Sequence, residues 1–405
     1  MLVIEARGAA YFGAGAVAKL PGIVRGLGAD YVVVVTDAAL ADGPVITQVL
    51  GILLDAGLPS HVFSGVHPEP TTDDLAAGAA AVAAAAARAA VAEASAAVAA
   101  TLKASPPAAP VTPASGGIAL VAVGGGSPID TAKGIALAAV NPGRGDTAVP
   151  GLPIVAVPTT AGTGAEACSF GVVTDAATRR TLCVGHASTR PAAVILDPDL
   201  TAGLSAAVTA ATGMDALTHA LESYLSLRPN PWSDGLALQA IRMIGANLPR
   251  AVRDGADTDA RSQLLLAAHL AGVAMASTGL GVCHAIGHSL GGRWNIAHGV
   301  ALAMLLPDVL RFNLPVRTQR LADVAFALGA GDTRSTRERN ADAAIDAVAA
   351  LRDRIGLTAA IADFGITEAD FAQIAADALA DGVLLTTPRP PTPADIGDIL
   401  TSRAG

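Results

Sequence analysis

Ile118-Ala-Leu-Val-Ala-Val-Gly-Gly-Gly-Ser-Pro-Ile-Asp-Thr-Ala-Lys133 runs from an unbroken apolar segment, through glycines, into a segment with helical spacing. A short continuous apolar run bounded by glycine reads as a strand buried on both faces, because a half-exposed strand alternates with polar residues. Outward from this stretch the pattern recurs. Tyr31-Val-Val-Val-Val-Thr36 reads as a strand with Asp37 at its end, and Ser60-His-Val-Phe63 as another. Leu152-Pro-Ile-Val-Ala-Val157 ends at Pro158-Thr-Thr160, and Ala193-Val-Ile-Leu196 stands before Asp197-Pro198. Apolar strands alternating with helices predict a doubly wound, mostly parallel α/β sheet, with ligands at the carboxyl ends of its strands.

From about Leu200 strand-like runs nearly vanish and apolar residues recur at spacings of three and four. Ser205–Ser226, Pro231–Asp254, Asp257–Ala276, Val282–Gly291, Ala301–Phe312, Thr318–Leu328 and Asn340–Ile355 are predicted helices. The expected organisation is an α/β N-terminal domain over residues 1–197 and an all-α C-terminal domain over residues 198–405.

Of 405 residues, 52% are hydrophobic and 15% charged, which supports a large core and excludes a disordered chain. A net charge of −9 argues against a nucleic-acid partner held by a basic face. No run of about 18 strongly apolar residues stands out, so no membrane span is expected. Cys168, Cys183 and Cys283 are too few and scattered for a disulfide framework or a thiolate zinc site. The start MLVIEARGAAYFGAGAV lacks a basic segment followed by an apolar run and a cleavage site, so a cytoplasmic protein is expected. Leu75–Lys103 is nearly all alanine and helix-prone, and a Pro-rich stretch follows to Gly117. This segment reads as an extended surface helix with a tolerated loop insertion, against the alternative of a partner-binding extension.

Glycines after the strand Ile118–Val123 let a backbone approach a phosphate closely, and the following helix N-terminus offers unpaired amides and a positive dipole end. Gly125, Gly126 and Ser127 are the candidates there, although the same residues suit a tight strand-to-helix turn. Pro158-Thr-Thr-Ala-Gly-Thr-Gly164 repeats the idea, with the hydroxyls of Thr159, Thr160 and Thr163 beside glycines. Two such loops at two strand ends point to an extended phosphate-bearing ligand, better a dinucleotide than a mononucleotide. Asp37 is placed to accept bonds from ribose hydroxyls and to repel a 2′-phosphate, favouring NAD over NADP. Its alternative role is a helix N-cap.

The histidines carry the second signal. Asp215 and His219 in Gly213-Met-Asp-Ala-Leu-Thr-His219 are one helical turn apart on one face, and His284 and His288 repeat that spacing. His298 follows in Ala297-His-Gly299. One carboxylate and three imidazoles suit a divalent ion of intermediate hardness, Fe2+ or Zn2+. The spacing alone does not decide whether His288 is among them. Such an ion without thiolate ligands, beside a nicotinamide, implies Lewis-acid chemistry on a carbonyl or alkoxide oxygen. His61 and His67 read as surface residues, and His186 and His269 as structural ones.

These motifs resemble the iron-containing (group III) alcohol dehydrogenase family over most of the chain. The resemblance rests on Tyr11-Phe-Gly-Ala-Gly15, Val34-Val-Thr-Asp37, Pro68-Glu-Pro-Thr71, Gly124–Lys133, Pro158–Glu166, Gly213–His219 and Gly279–Pro307. It implies four metal ligands: Asp215, His219, His284 and His298. It places His288 near the nicotinamide, assisting proton transfer or substrate positioning. It further implies pyrophosphate binding by Gly125, Gly126 and Ser127, a cofactor cleft lined by Thr159, Thr160 and Thr163, and Asp37 at the adenosine ribose. A homodimer is expected from the family. The Ala- and Pro-rich segment is longer than the family pattern. Arg293 stands where an aromatic residue is common. It is a candidate to bind an anionic substrate group through bidentate hydrogen bonds, with a surface salt bridge as the alternative.

The resulting expectation is an enzyme that interconverts a small aldehyde and its primary alcohol by hydride transfer with a nicotinamide cofactor. Two alternatives share the fold: a reductase of an acidic substrate (phosphonoacetaldehyde- or maleylacetate-type) and a zinc-dependent polyol or glycerol-type dehydrogenase. From different classes come a dehydroquinate-synthase-like lyase, which would need several basic residues for a phosphorylated substrate where the C-terminal motifs show few, and a non-catalytic nucleotide-binding module, which would not need the ligand set.

Overall fold

The computed structural model describes residues 8–103, 117–141, 149–178 and 181–403, and the side chains of all of these except 91–103 and Thr181. Most of the Pro-rich stretch, residues 105–116, lies outside the described residues. Contacts divide the chain into two units: one holds Arg7–Thr159 and Cys168–Asp197, the other Thr160–Ala167 and Pro198–Gly405.

The first unit is built on a six-stranded sheet with the order β1-β8-β5-β4-β2-β3. Its strands are β1 (Ala9–Phe12), β2 (Ala29–Asp37), β3 (Ser60–Val66), β4 (Gly117–Gly124), β5 (Ile154–Pro158) and β8 (Ala193–Leu196). Every pairing among them is parallel. Val32–Val35 and Ala119–Val123 are fully buried, which is why their sequences show no alternation. The helices are α1 (Leu20–Gly26), α2 (Ala38–Ala41), α3 (Pro44–Asp55), α4 (Thr72–Lys103) and α5 (Gly126–Ala138). From β2 the chain runs outward to β3, then returns to the other side of β2 as β4. The β2/β4 pair is therefore the point where the winding reverses, and ligands of such sheets bind outside the carboxyl ends of the strands there.

Two parts of this unit carry no signature in the sequence. Among the described residues strand β1 pairs only with β8, and all four of its residues are exposed, so it has no buried apolar run. The antiparallel hairpin β6 (Phe170–Thr174) and β7 (Thr181–Gly185) stands apart from the main sheet. It is tied to α5, where Asp130 accepts from the Val172 amide. Lys133 is wholly buried and donates to Asp130 and to the Phe170 carbonyl. The Ala-rich helix α4 is not only a surface element. Leu75, Val82 and Ala85 are buried, and a Cβ at Gly78 would sit 2.1 Å from Ile135 of α5. Small residues let these two helices approach closely.

The second unit is helical: α6 (Ala206–Leu225), α7 (Pro231–Arg253), α8 (Thr258–Thr278), α9 (Val282–Trp294), α10 (His298–Ala327), α11 (Arg337–Arg354), α12 (Phe371–Leu379) and α13 (Pro393–Thr401). Ser205, Asn230, Asp257, Thr336 and Thr392 cap α6, α7, α8, α11 and α13 with side-chain oxygens. The two helices expected over 301–328 form one element with a non-helical break at Arg317, two residues past Pro315. Among the described residues, α10 is long and apolar enough to suit a membrane span, as are α8 and α9 if taken together across their bend, which the sequence reading does not pick out. However, 67% of the apolar window of α10 is buried in the fold, as in the core helix of a globular domain.

Segment Thr160–Ala167 is held to the helices by a close backbone approach. Gly164 has φ +61°, and a Cβ there would lie 2.6 Å from the Gly272 Cα in α8.

Candidate metal centre and nucleotide loops

Helix α6 carries Asp215 and His219, α9 carries His284 and His288, and His298 is the first residue of α10. Helices α8 and α9 meet at an angle of 105°. The turn between them uses Gly279, with φ +76°, where a Cβ would strike the Thr386 hydroxyl. This bend sends the first turn of α9 toward α6. Asn295, in the left-handed region at φ 53°, ends α9 and leads to His298.

One ligand atom each from Asp215, His284 and His298 lie within 4.8 Å of one another. His284 Nε2 and His298 Nε2 are 3.8 and 3.7 Å from Asp215 Oδ1, too far for hydrogen bonds. His219 stands beside that trio: its Nδ1 is 3.4 Å from Asp215 Oδ1, and its ring stacks on His284 at 4.6 Å. Asp215 Oδ1, His219 Nδ1 and His284 Nε2 are buried without a hydrogen-bond partner among the described residues. Buried polar atoms in this state are costly unless something binds them. Ligand atoms held tetrahedrally at roughly 2.1 Å lie about 3.4 Å apart, so the separations suit one shared small cation.

The electrostatics agree. Burial opposes ionisation of Asp215, but His219, His284 and His298 around it hold its carboxyl well below the usual range. Burial pushes the His298 imidazole down to about 3, despite the Asp215 charge, with the other imidazoles adding to the shift. His219 is likewise lowered, by burial first. Neutral imidazoles are the ligand-competent form. His284 is the exception. Burial works against its charge, yet Glu222 beside it raises it to about 9.

His288 belongs to the same cluster, its ring stacked on His298 at 5.6 Å. Its Nδ1 pairs with Asp381 Oδ2 at 2.6 Å. Neither Asp381 nor Glu222 follows from the sequence reading, although Glu222 continues the Asp215/His219 face of α6 by a further turn. Arg293 has its guanidinium fork on Asp377, with Nη2 donating to Oδ1 at 3.2 Å and Nε to Oδ2. That is the salt-bridge arrangement, and an anionic substrate would have to displace Asp377. His269, read as structural, pairs through Nδ1 with the buried Glu166 at 2.9 Å. His186 caps a short 3-10 turn.

In the sheet unit, Asp37 ends β2 and Gly124 ends the adjacent β4, at the winding reversal. Gly125 precedes α5 as its N-cap with no side-chain cap among the described residues, which leaves the first amides of that helix open to an anion. The Ser127 hydroxyl, expected to face a phosphate, instead donates to the Pro68 carbonyl at 2.6 Å. Asp37 Oδ1 accepts from the amides of Ala39 and Leu40, so the N-cap alternative is realised. The Thr159 amide donates to the Gly124 carbonyl, which ties the two loops together. Thr163 Oγ1 accepts from the Ala165 amide, and Thr160 is partly exposed.

Residues 8–93 and 108–198 match the model of the iron-containing alcohol dehydrogenases, and residues 209–404 match the C-terminal model of the same family. The 1,3-propanediol dehydrogenase of Klebsiella pneumoniae is 36% identical over 94% of this chain and 92% of its own. The NAD-dependent methanol dehydrogenase of Bacillus methanolicus is 33% identical over 97% of each chain. The crystal structure of a 1,3-propanediol oxidoreductase superposes over 100% of both chains with a TM-score of 0.87 at 34% identity. With its parallel sheet, its helical unit and its Asp–His cluster, the chain is an enzyme of the iron-containing alcohol dehydrogenase family.

Proposed function

We propose that this chain is a metal- and NAD-dependent oxidoreductase that interconverts a small, uncharged aldehyde and its primary alcohol. The convergence of Asp215, His284 and His298 on one point, with orphaned buried atoms facing it, carries this reading. Asp215, His219, His284 and His298 would hold a divalent ion, iron or zinc. When bound, the ion supplies Lewis-acid polarisation of the substrate oxygen, and the nicotinamide supplies or accepts the hydride.

The chain's own residues do the rest. Asp215 is the single anionic donor and offsets part of the ion's charge. His288 keeps its Nδ1 proton against Asp381, so Nε2 is where a proton is given to, or taken from, the substrate oxygen. The open amides at the start of α5, from Gly125, Gly126 and Ser127, bind the pyrophosphate. Thr159, Thr160 and Thr163 line the cofactor site. Asp37, with Oδ1 committed to its cap, meets the adenosine ribose and disfavours a 2′-phosphate. The Arg293–Asp377 pair and the uncharged alcohols in the names of the relatives support an uncharged substrate over an acidic one.

The test is reconstitution of the purified protein with Fe2+ or Zn2+, followed by NADH and NADPH oxidation with short neutral aldehydes and their carboxylated analogues. Metal-dependent NADH turnover with the neutral aldehydes is expected. Turnover that survives metal removal, or that needs the acidic analogues, overturns the proposal.

A further inference from the structure

Glu222 is buried on α6, and no side chain among the described residues other than His284 donates a hydrogen bond to it. Its Oε2 accepts from the Gly281 amide at 2.8 Å and from His284 Nδ1 at 2.6 Å, and its Oε1 accepts from the Cys283 amide at 2.7 Å. Asp215, His219 and Glu222 occupy positions i, i+4 and i+7 of one helix and so share a face. Helix α9 begins at Gly281 with no cap from its own chain segment. A carboxylate from α6 therefore serves the orphan amides and the positive end of α9's dipole.

We infer that Glu222 is a positioning residue for metal binding: it fixes the first turn of α9 and makes His284 present Nε2, rather than Nδ1, to Asp215 and His298. This role rests on the metal centre proposed above. An imidazole has two nitrogens, and the one that donates its proton elsewhere cannot be the ligand. Glu222 accepts the hydrogen bond of the Nδ1 proton, so the Nε2 lone pair faces the cluster, where it is buried and without a hydrogen-bond partner among the described residues. The two amide bonds keep the carboxylate from following the ring if it turns. The close fit extends to Gly281, where a Cβ would come within 3.0 Å of Glu222 Oε1. A side chain there would require the carboxylate to give by a few tenths of an ångström.

The experiment measures Zn2+ affinity of the full chain by competition with a chromophoric chelator, alongside the thermal midpoint of the metal-free protein. Glu222→Gln puts a donor where three donors already converge. The expected result is Zn2+ affinity weaker by roughly 10- to 100-fold, with the folded fraction accounted for by the metal-free melt. Wild-type Zn2+ affinity in folded Glu222→Gln overturns the inference, because a purely structural role would lower the melt alone. Should that variant fail to fold, nitrogen-15 spectra of histidine-labelled, Zn2+-loaded wild type decide the matter. A proton on Nδ1 of His284 supports the inference, and a proton on Nε2 overturns it. If wild type binds no Zn2+ or Fe2+, the metal-centre reading itself fails, a distinct outcome.

Discussion

His288 Nδ1 lies 2.6 Å from Asp381 Oδ2, across 93 residues of chain. The same carboxylate uses Oδ1 to accept from the Val383 amide at 2.9 Å, which caps the short turn Gly382–Thr386. Asp381 is thus held by the backbone on one side and holds an imidazole on the other. A ring oriented in this way has one free nitrogen in a known direction, the requirement for a group that passes a proton.

Asp381→Asn should therefore strike turnover rather than cofactor binding. The amide keeps the size of the side chain, but its acceptor oxygen cannot serve both His288 and Val383 while its NH2 finds partners. We expect kcat to fall by roughly 10²-fold, with KM for NADH unchanged. Steady-state kinetics with saturating metal checks this. An unchanged kcat would remove the pair from the proton-transfer step.

The same pair predicts a pH dependence of stability. Burial opposes ionisation of Asp381, but its bond to His288 outweighs this and holds the carboxyl below its ordinary value. A folded-state pKa below the unfolded one gives stability that is present above the unfolded pKa, about 3.9, and lost as pH falls toward the folded value. The thermal midpoint of wild type should exceed that of Asp381→Asn at about pH 5, above the unfolded carboxyl pKa. The margin should close below about pH 4. Both proteins are melted with chelator present, so that metal loss does not contribute. A margin that grows as pH falls below about 5 contradicts the assignment.

Metal binding should register in stability as well as in activity. A ligand that binds only the folded state stabilises it by about 2.7 kcal/mol when free at 100 times its Kd. Added Zn2+ should raise the melting midpoint of the metal-free protein. Asp215→Ala and His284→Ala should abolish that response, since each removes a buried member of the converging trio. A response as large as wild type's in either variant would rule the trio out.

What the sequence makes legible follows from how local each signal is. Strands β2 and β4 are buried on both faces, so Val32–Val35 and Ala119–Val123 announce themselves as unbroken apolar runs. Strand β1 is an exposed edge of four residues and has no such run. Asp215/His219 and His284/His288 are legible because each pair is one helical turn apart on its own helix. Their partners are not local: Glu222 reaches His284 across 62 residues, and Asp377 reaches Arg293 across 84. Only the fold decides which carboxylate meets which base. For that reason Arg293, read alone, looks like an open anion site.

Arg293→Ala tests that point directly. The Arg293–Asp377 pair is half-exposed, with side-chain exposures of 47% and 33%, so its loss should cost no more than about 1 kcal/mol. Because the guanidinium already faces a carboxylate, activity with neutral and with acidic aldehydes should change by the same factor. A selective loss with the acidic aldehydes would restore the anion-site reading.

Gly299 gives the sharpest steric prediction at the centre. It follows His298 in the first turn of α10, and a Cβ there would lie 2.1 Å from the Ala211 carbonyl oxygen of α6 and 2.6 Å from its carbon. The obstruction is backbone, so no rotamer change relieves it, and one helix must move. The start of α10 carries His298, so movement away from α6 separates that imidazole from Asp215. Gly299→Ala should lower the melting midpoint by the equivalent of about 1–3 kcal/mol of overpacking and should weaken Zn2+ binding as well. Gly292→Ala is the matched control. Gly292 is exposed within α9, and a methyl added there would have nothing within 4 Å. That methyl should raise stability by about 0.5–1 kcal/mol through helix propensity, with Zn2+ binding untouched. If Gly299→Ala instead binds Zn2+ as wild type does, the approach of α10 to α6 does not set the position of His298.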